Sequence, residues 1–435
     1  MAVIGLDDTD SRDRGMCTTY LAATVATRLR ERDHRVERSL LVRLNPAIEH
    51  KTRGNAALSI HTDCSRKEAF ALACEAIERA AETADSNTNP GLVVAPDADV
   101  SSTIAEFSTR ATGGRLAIAD AREACEAAGY TSHGWGNGRG LIGALAAVGA
   151  WRAFSEWTVE HVAYREPERW GTPRSVDTDS LFAAAERGYP DSWDTVDRGE
   201  REAVCVPRTP CPVLFGVRGE DRDATSEVAT AVDSEPIERT ATFLTNQGTD
   251  AHLREGEIST VEDGRAYRLS GTVASAPETH RGGHVHFELA ESGENDGDAG
   301  EDGADDTAPQ LGCVAFEPTK RFRDRVRGLC VGDRLTVCGE VSEGTLKLEK
   351  FAVRDLLETE AVTPTCPECA RSMESAGHEQ GYRCRNCGTD REGKVPRALD
   401  RDLEVGWYEV PPRARRHVAK PLVRGGFDAP THPER

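Results

Sequence analysis

Residues 3–29 read VIGLDDTDSRDRGMCTTYLAATVATRL. Four apolar residues, 3–6, have the length and content of a buried strand. Three aspartates follow within four positions, Asp7, Asp8 and Asp10, and a helical pattern then runs from about residue 17 to 32. Asp caps helices and closes turns, which accounts for one or two of the three. Packed carboxylates repel one another unless a cation lies between them. The competing reading is therefore Mg²⁺, a hard cation that takes carboxylate oxygens together with substrate phosphates.

Outward from this stretch, residues 1–130 alternate in type. Strands are expected at 39–44 and 56–61, and helices at about 67–83 and 110–125. This is an α/β unit with its active groups on loops at the strand ends. One such loop, LNPAIEHKTRGNAALS, carries Lys51, Arg53, Gly54 and Asn55; another is SNTNPG at 86–91. Near residue 133 comes HGWGNGRGLIGALAAVGAW, in which Gly134, Gly136, Gly138 and Gly140 precede an apolar helix. Glycines before a helix N-terminus let backbone amides approach a phosphate, although the spacing matches neither a P-loop nor a dinucleotide fingerprint. A flexible loop before a core helix is the alternative, and His133 reads either as a phosphate contact or as a structural residue.

Residues 131–256 continue with strands at 158–164, 213–216 and 237–244, a helix at about 224–232 and a long irregular stretch between the first two strands. That order suggests an α+β, ferredoxin-like domain. It ends in TNQGTDAH, residues 245–252, rich in side-chain donors and acceptors for a connector. Residues 257–357 contain five strand-like segments with a short helix between the third and fourth, the pattern of an OB-fold β-barrel. The acidic segment 291–309, ESGENDGDAGEDGADDTAP, interrupts it and has too little apolar content to fold. Residues 358–400 hold two CxxC knuckles, Cys366, Cys369, Cys384 and Cys387. That spacing gathers four thiolates around one Zn²⁺ in a structural zinc ribbon with no open position. Residues 401–435 form a basic tail with Arg413, Arg415, Arg416 and Lys420, either a solvated end or a phosphate-contacting arm.

The net charge of the 435 residues is -20, and of the 54 basic residues only seven are lysines. An acidic, lysine-poor, arginine-rich chain suits high salt, so global charge reports habitat and does not exclude RNA. No apolar run approaches a membrane span, and no signal peptide is visible. The 13 cysteines, an odd number, then argue for reduced thiols. A cytoplasmic protein away from membranes, needing no protein partner, is expected.

In this order GLDDTDS, GMCTTYLA, RLNP followed by KTRGN, the NPG loop, GNGRGLIGALAAVGA, TNQGTDAH, the barrel segment and the paired knuckles resemble the archaeal 2-agmatinylcytidine synthetases over nearly the whole chain. The departure is the acidic insert, which fits a halophilic member. The resemblance implies that ATP and agmatine are substrates and that the partner is a minor isoleucine tRNA with a CAU anticodon. It implies a kinase-like N-terminal domain that phosphorylates the C2 oxygen of the wobble cytidine. Agmatine's amine then displaces that phosphate, ATP ends as AMP and phosphate, and the tRNA decodes AUA. By the same resemblance Asp7, Asp8 and Asp10 are catalytic and hold Mg²⁺, and Thr18 is the autophosphorylated threonine. Lys51, Arg53, Gly54, Asn55, His133, Gly136, Asn137 and Gly138 are the expected ATP and phosphate contacts. Two readings compete: a tRNA-binding module without catalysis, against which the aspartates and Thr18 speak, and an RNA ligase, for which a KxDG-type lysine is missing.

Overall fold

The computed structural model describes residues 1–13, 15–49, 51, 54–96, 100–291, 308–378, 380–416 and 418–435. The opening run forms strand β1 (Ala2–Asp7), and helix α1 (Thr18–Arg30) follows after the aspartates. Strands β2 (Val36–Arg43) and β3 (Ala56–Thr62), helix α2 (Arg66–Ala80), strand β4 (Gly91–Pro96), helices α3 (Ser102–Gly113) and α4 (Ile118–Ala127), strand β5 (Thr131–Gly134) and helix α5 (Leu141–Ala153) complete the first part. β1 is covered on both faces. Ala2, Ile4 and Leu6 join the core shared with α1 and α2, while Val3 faces the core of α3 and α5. That period-2 split is why the strand reads as continuous apolar sequence.

Several elements differ from the sequence reading, three of them in the parts that carry the site. The helix expected at 110–125 is two helices, broken after Gly113–Gly114, since paired glycines are poor helix formers. β4 escapes the sequence reading, because its LVVA core is short and buried throughout, leaving no alternation to detect. Helix α6 (Thr178–Gly188) lies in the stretch expected to be irregular, and the Asp177 side chain caps it by accepting from Ser180 N.

Strand β6 (Thr158–Arg165), the short strand Ser192–Trp193, the strands Val213–Gly219 and Ile237–Thr245, and helix α7 (Arg222–Thr230) form the next part. All four strands join one nine-stranded sheet. Its order is β5, β4, β1, β3, β2, Ile237–Thr245, β6, Val213–Gly219, Ser192–Trp193. Every pairing is antiparallel except that of β2 with Ile237–Thr245, where Leu40 faces Leu244 and Leu41 faces Thr245. That parallel seam joins the two parts and brings the end of β2 beside residues 245–252.

The strands Arg265–Val273, Val285–Glu291, Gln310–Ala315, Arg334–Ser342 and Thr345–Asp355 close into a five-stranded barrel. Helix α8 (Phe322–Arg327) lies between the third and fourth, and Phe287, Phe322 and Phe351 are in the core. The acidic segment connects the second and third strands, and its residues 292–307 lie outside the described residues.

The segment 401–435, read as a basic tail, is a packed strap. Its strand Gly406–Glu409 pairs with Thr345–Asp355, and Trp407 and Leu422 are buried. Its arginines are paired within the protein. Arg415 bridges Asp194 and Glu409, Arg416 bonds Glu349 and Glu340, Arg413 lies 3.0 Å from Glu202, and Arg424 pairs with Glu220. The strap thereby ties the barrel to the sheet. No described helix is long and apolar enough to cross a membrane.

Candidate active site

A cavity of about 1090 Å³ opens at the ends of β1 and β2. Asp7, Asp8, Asp10 and Thr18 line it, together with Lys51, Gly54, Asn55 and Asn137. Asp7 is placed there by a close approach of helix to strand. A Cβ on Gly143 would stand 2.0 Å from Asp7 Oδ2, and one on Gly5 would stand 2.1 Å from Ala144 O. Only glycine lets α5 lie that near β1. Burial, with the Asp8 and Asp10 carboxylates beside it, pushes the Asp7 carboxyl well above the usual range.

Asp8 has a positive φ of 56°, a conformation Asp tolerates better than most residues. Its Oδ2 accepts from Asn89 N (3.1 Å) and from Arg139 Nη2 (2.8 Å). Arg139 also donates to Asn87 O (2.6 Å), and Asn137 N donates to Asn89 Oδ1 (3.0 Å). The asparagine-proline loop and the glycine-rich loop are thus clamped to each other across the aspartates. Thr18 stands in the first turn of α1, is 5% exposed, and its Oγ1 accepts from Thr9 Oγ1 at 3.0 Å. The positive end of a helix dipole suits a phosphate.

The same cavity is also lined by Arg43, Glu160 and Arg218. Arg43, at the end of β2, lies 3.3 Å from Glu160 on β6, whose other oxygen is 3.7 Å from Arg218. Burial opposes ionisation of Glu160, but Arg218 and Arg43 hold its carboxyl below the usual range. The TNQGTDAH run fixes Arg43. Asn246 Oδ1 accepts from Arg43 N (2.7 Å), and Gln247 Oε1 accepts from Arg43 Nε (2.9 Å). His252 Nε2 lies 3.2 Å from Arg43 O, and burial pushes this imidazole down to about 4.

Unfolding would return His252 to its ordinary value near 6.5. The unfolded chain then takes up its proton first as pH falls. The stability His252 contributes is complete above pH ~6.5 and is lost as pH falls toward 4, by ~2 kcal/mol at pH 5. His252→Gln should flatten that slope. Denaturant midpoints at pH 7 and pH 5 for both proteins measure it, and equal slopes would contradict the assignment.

Of the other expected residues, Gly136 and Gly138 do not line the cavity; Gly136 is exposed and lies against the Asn89 side chain. His133 is exposed, away from the cavity, with its ring 4.4 Å from that of Trp135. Arg53 lies outside the described residues. Sequence reasoning misses Asn89, Arg139, Arg43, Glu160 and Arg218. Arg139 and Asn89 stand inside the quoted motifs, where the neighbouring glycines and proline dominate the signal. Glu160 and Arg218 carry no local signal.

At the ribbon, the sulfurs of Cys366, Cys369, Cys384 and Cys387 all lie within 4.8 Å of one another. Four of the sulfur pairs are 3.3–3.6 Å apart, with no disulfide among them. Four thiolates about 2.3 Å from one tetrahedral Zn²⁺ stand roughly 3.8 Å apart. The donor set fits that ion.

Fold and site define a multidomain α/β enzyme with a closed barrel and a zinc ribbon. Family models match at residues 3–68 (TiaS TCKD domain), 138–252 (TiaS FLD domain) and 363–403 (TiaS C-terminal zinc ribbon domain). The isoleucine-tRNA 2-agmatinylcytidine synthetase TiaS of Haloquadratum walsbyi is 51% identical over 100% of both chains, and that of Pyrococcus horikoshii is 36% identical over 97% of this chain and 96% of its own. A crystal structure of TiaS in complex with its isoleucine tRNA and ATP superposes with a TM-score of 0.87 at 40% identity, covering 100% of this chain and 99% of that one. A TiaS complex with the same tRNA, AMPCPP and agmatine gives 0.85 at 37%, covering 100% and 99%. The chain belongs to the TiaS family, the isoleucine-tRNA 2-agmatinylcytidine synthetases. The first of these relatives is haloarchaeal, which agrees with the acidic composition.

Proposed function

We infer that this protein conjugates agmatine to C2 of the wobble cytidine of the minor isoleucine tRNA with a CAU anticodon, at the expense of ATP, and does so in the cytoplasm. The observation that carries the reading is one cavity lined both by the carboxylates Asp7, Asp8 and Asp10 and by the cations Arg43 and Arg218. A polyphosphate chain needs both, since phosphoryl transfer depends on positioned charge more than on covalent groups. Asp7, Asp8 and Asp10 gather three carboxylates at one strand end and would hold Mg²⁺, which supplies charge neutralisation on the phosphates. Arg43 and Arg218 stabilise negative charge on the transferred group. Lys51, Gly54, Asn55 and Asn137 border the same space and serve as nucleotide contacts. Thr18 accepts a hydrogen bond from Thr9, which leaves its own hydroxyl proton to depart when the oxygen takes up a phosphoryl group.

The chain divides in this reading into a kinase-like unit at 1–130, a ferredoxin-like unit at 131–256, an OB-fold at 257–357, the ribbon at 358–400 and the strap at 401–435. Supporting the second is the strand order Ile237–Thr245, β6, Val213–Gly219, Ser192–Trp193, with α6 and α7 in the crossovers, which is that of a split βαβ fold. Helix α5 follows residue 130 yet packs on β1 and β4, so the first two units share their core.

Mass spectrometry of nucleosides from tRNA incubated with the protein, ATP and agmatine tests the reading. A cytidine carrying the agmatine mass is expected, and unmodified cytidine with active protein overturns it. A second measurement follows Thr18. With labelled ATP and no tRNA, the wild type should become labelled and Thr18→Ala should not. Equal labelling would move the acceptor, first to Thr19, whose Oγ1 lies 3.0 Å from Cys17 Sγ.

A further inference from the structure

Away from the cavity, three element ends meet at one corner of the sheet. His34 follows α1, Cys64 follows β3, and Glu68 lies in the first turn of α2. One ligand atom from each lies within 4.8 Å of the other two, and none of the three lines the cavity. We propose that His34, Cys64 and Glu68 form a second transition-metal site, of the class that takes Zn²⁺, with water in the fourth position.

The geometry has the parts such a site needs. His34 Nε2 lies 3.2 Å from Glu68 Oε2, close to the spacing of two ligands on one tetrahedral ion. His34 Nδ1 faces Asp63 Oδ1 at 3.6 Å, and that oxygen is itself fixed by Arg35 N at 2.9 Å. A carboxylate on that side of the ring favours the proton on Nδ1, which leaves the Nε2 lone pair for a metal. The other Glu68 oxygen, Oε1, is 3.8 Å from Arg32 Nη1, so one carboxylate oxygen is given to a cation and one to the cluster. Cys64 is 0% exposed, and its thiol faces the Glu68 carboxylate.

The backbone under the cluster is fixed as well. Thr62 Oγ1 donates to Arg35 O (2.8 Å) and accepts from Cys64 N (3.3 Å), and Ser65 Oγ accepts from Glu68 N (3.3 Å). Ligands carried on rigid, hydrogen-bonded ends hold their positions without metal. One imidazole, one thiolate and one carboxylate form a borderline-soft set that prefers Zn²⁺ to Mg²⁺ or Ca²⁺. Binding releases the Cys64 proton to solvent, and thiolate plus carboxylate then neutralise the ion. The bound metal joins the exit of α1 to the start of α2.

The test is zinc content of the intact purified chain after dialysis against a weak chelator. About two ions per chain are expected, one at the ribbon and one here, falling to about one in Cys64→Ser and in His34→Gln, while Cys384→Ser loses only the ribbon ion. Melting temperature in the Cys384→Ser protein should still rise on adding zinc, and should not when Cys64→Ser is combined with it. About one ion in the wild type, or about two retained in both Cys64→Ser and His34→Gln, overturns the proposal and leaves His34 as a partly exposed histidine between two carboxylates. If Cys64→Ser does not fold, His34→Gln decides alone, because the partly exposed ring position tolerates the amide.

Discussion

Asp8→Asn should leave the protein folded and reduce tRNA modification by about 10²-fold or more, the scale of losing one key electrostatic group in a closed site. The substitution keeps the shape. Asn tolerates the left-handed backbone at Asp8 as well as Asp does. Its carbonyl oxygen can still accept from Asn89 N and Arg139, the two donors that Asp8 Oδ2 serves. What is lost is a negative charge among the cavity carboxylates, and with it one ligand for the cation the phosphates require. Arg139 at the same time loses its ionic partner and is left with two neutral acceptors, the new amide oxygen and Asn87 O. Single-turnover modification of tRNA, with circular dichroism of the same sample, makes the measurement. Wild-type turnover in a folded variant would remove the metal-binding role from Asp8.

Arg415→Met should destabilise the protein by about 3–5 kcal/mol, the cost of stranding buried carboxylates without their cation. Arg415 is 5% exposed and sits between Asp194, 4% exposed, and Glu409, 2% exposed. Glu409 is held from two further sides, by Leu422 N at 2.8 Å and Glu434 N at 3.1 Å. Burial already pushes Glu409 up to about 7 and raises Asp194. In the variant the deficit should therefore shrink as pH falls from 8 to 5, because protonation removes the stranded charges. Denaturant midpoints across that range, with limited proteolysis of the strap, report the effect. A deficit independent of pH would mean that lost packing, and not stranded charge, is the cause.

The local signals that are legible share one property: each is complete within a short window. The aspartates after β1, the glycines before α5 and the two CxxC knuckles are of this kind. So are the five barrel strands, each a short apolar-rich run bounded by polar sequence. Elements escape where the window is short or uniform, as at β4, or where a helix has few apolar residues, as at α6 with only Leu181, Ala184 and Ala185 buried. The basic strap misleads for a related reason. Sequence shows Arg413, Arg415 and Arg416 near the chain end but not Asp194, Glu202, Glu340, Glu349 and Glu409, the carboxylates that pair with them.

By itself the sequence determined the strand that ends at Asp7, just before Asp8, the helix start that carries Thr18, and the ligand set of the ribbon, because backbone propensity and ligand spacing act over a few residues. Only the tertiary structure decided that Asp7, Asp8 and Thr18 share a cavity with Arg43, Glu160 and Arg218. The parallel pairing of β2 with Ile237–Thr245 joins residues about 200 positions apart and so sets Asn246 and Gln247 against Arg43. That pairing is chosen by the burial of whole sheet faces, a free energy summed over the entire core, and no window of the chain contains it.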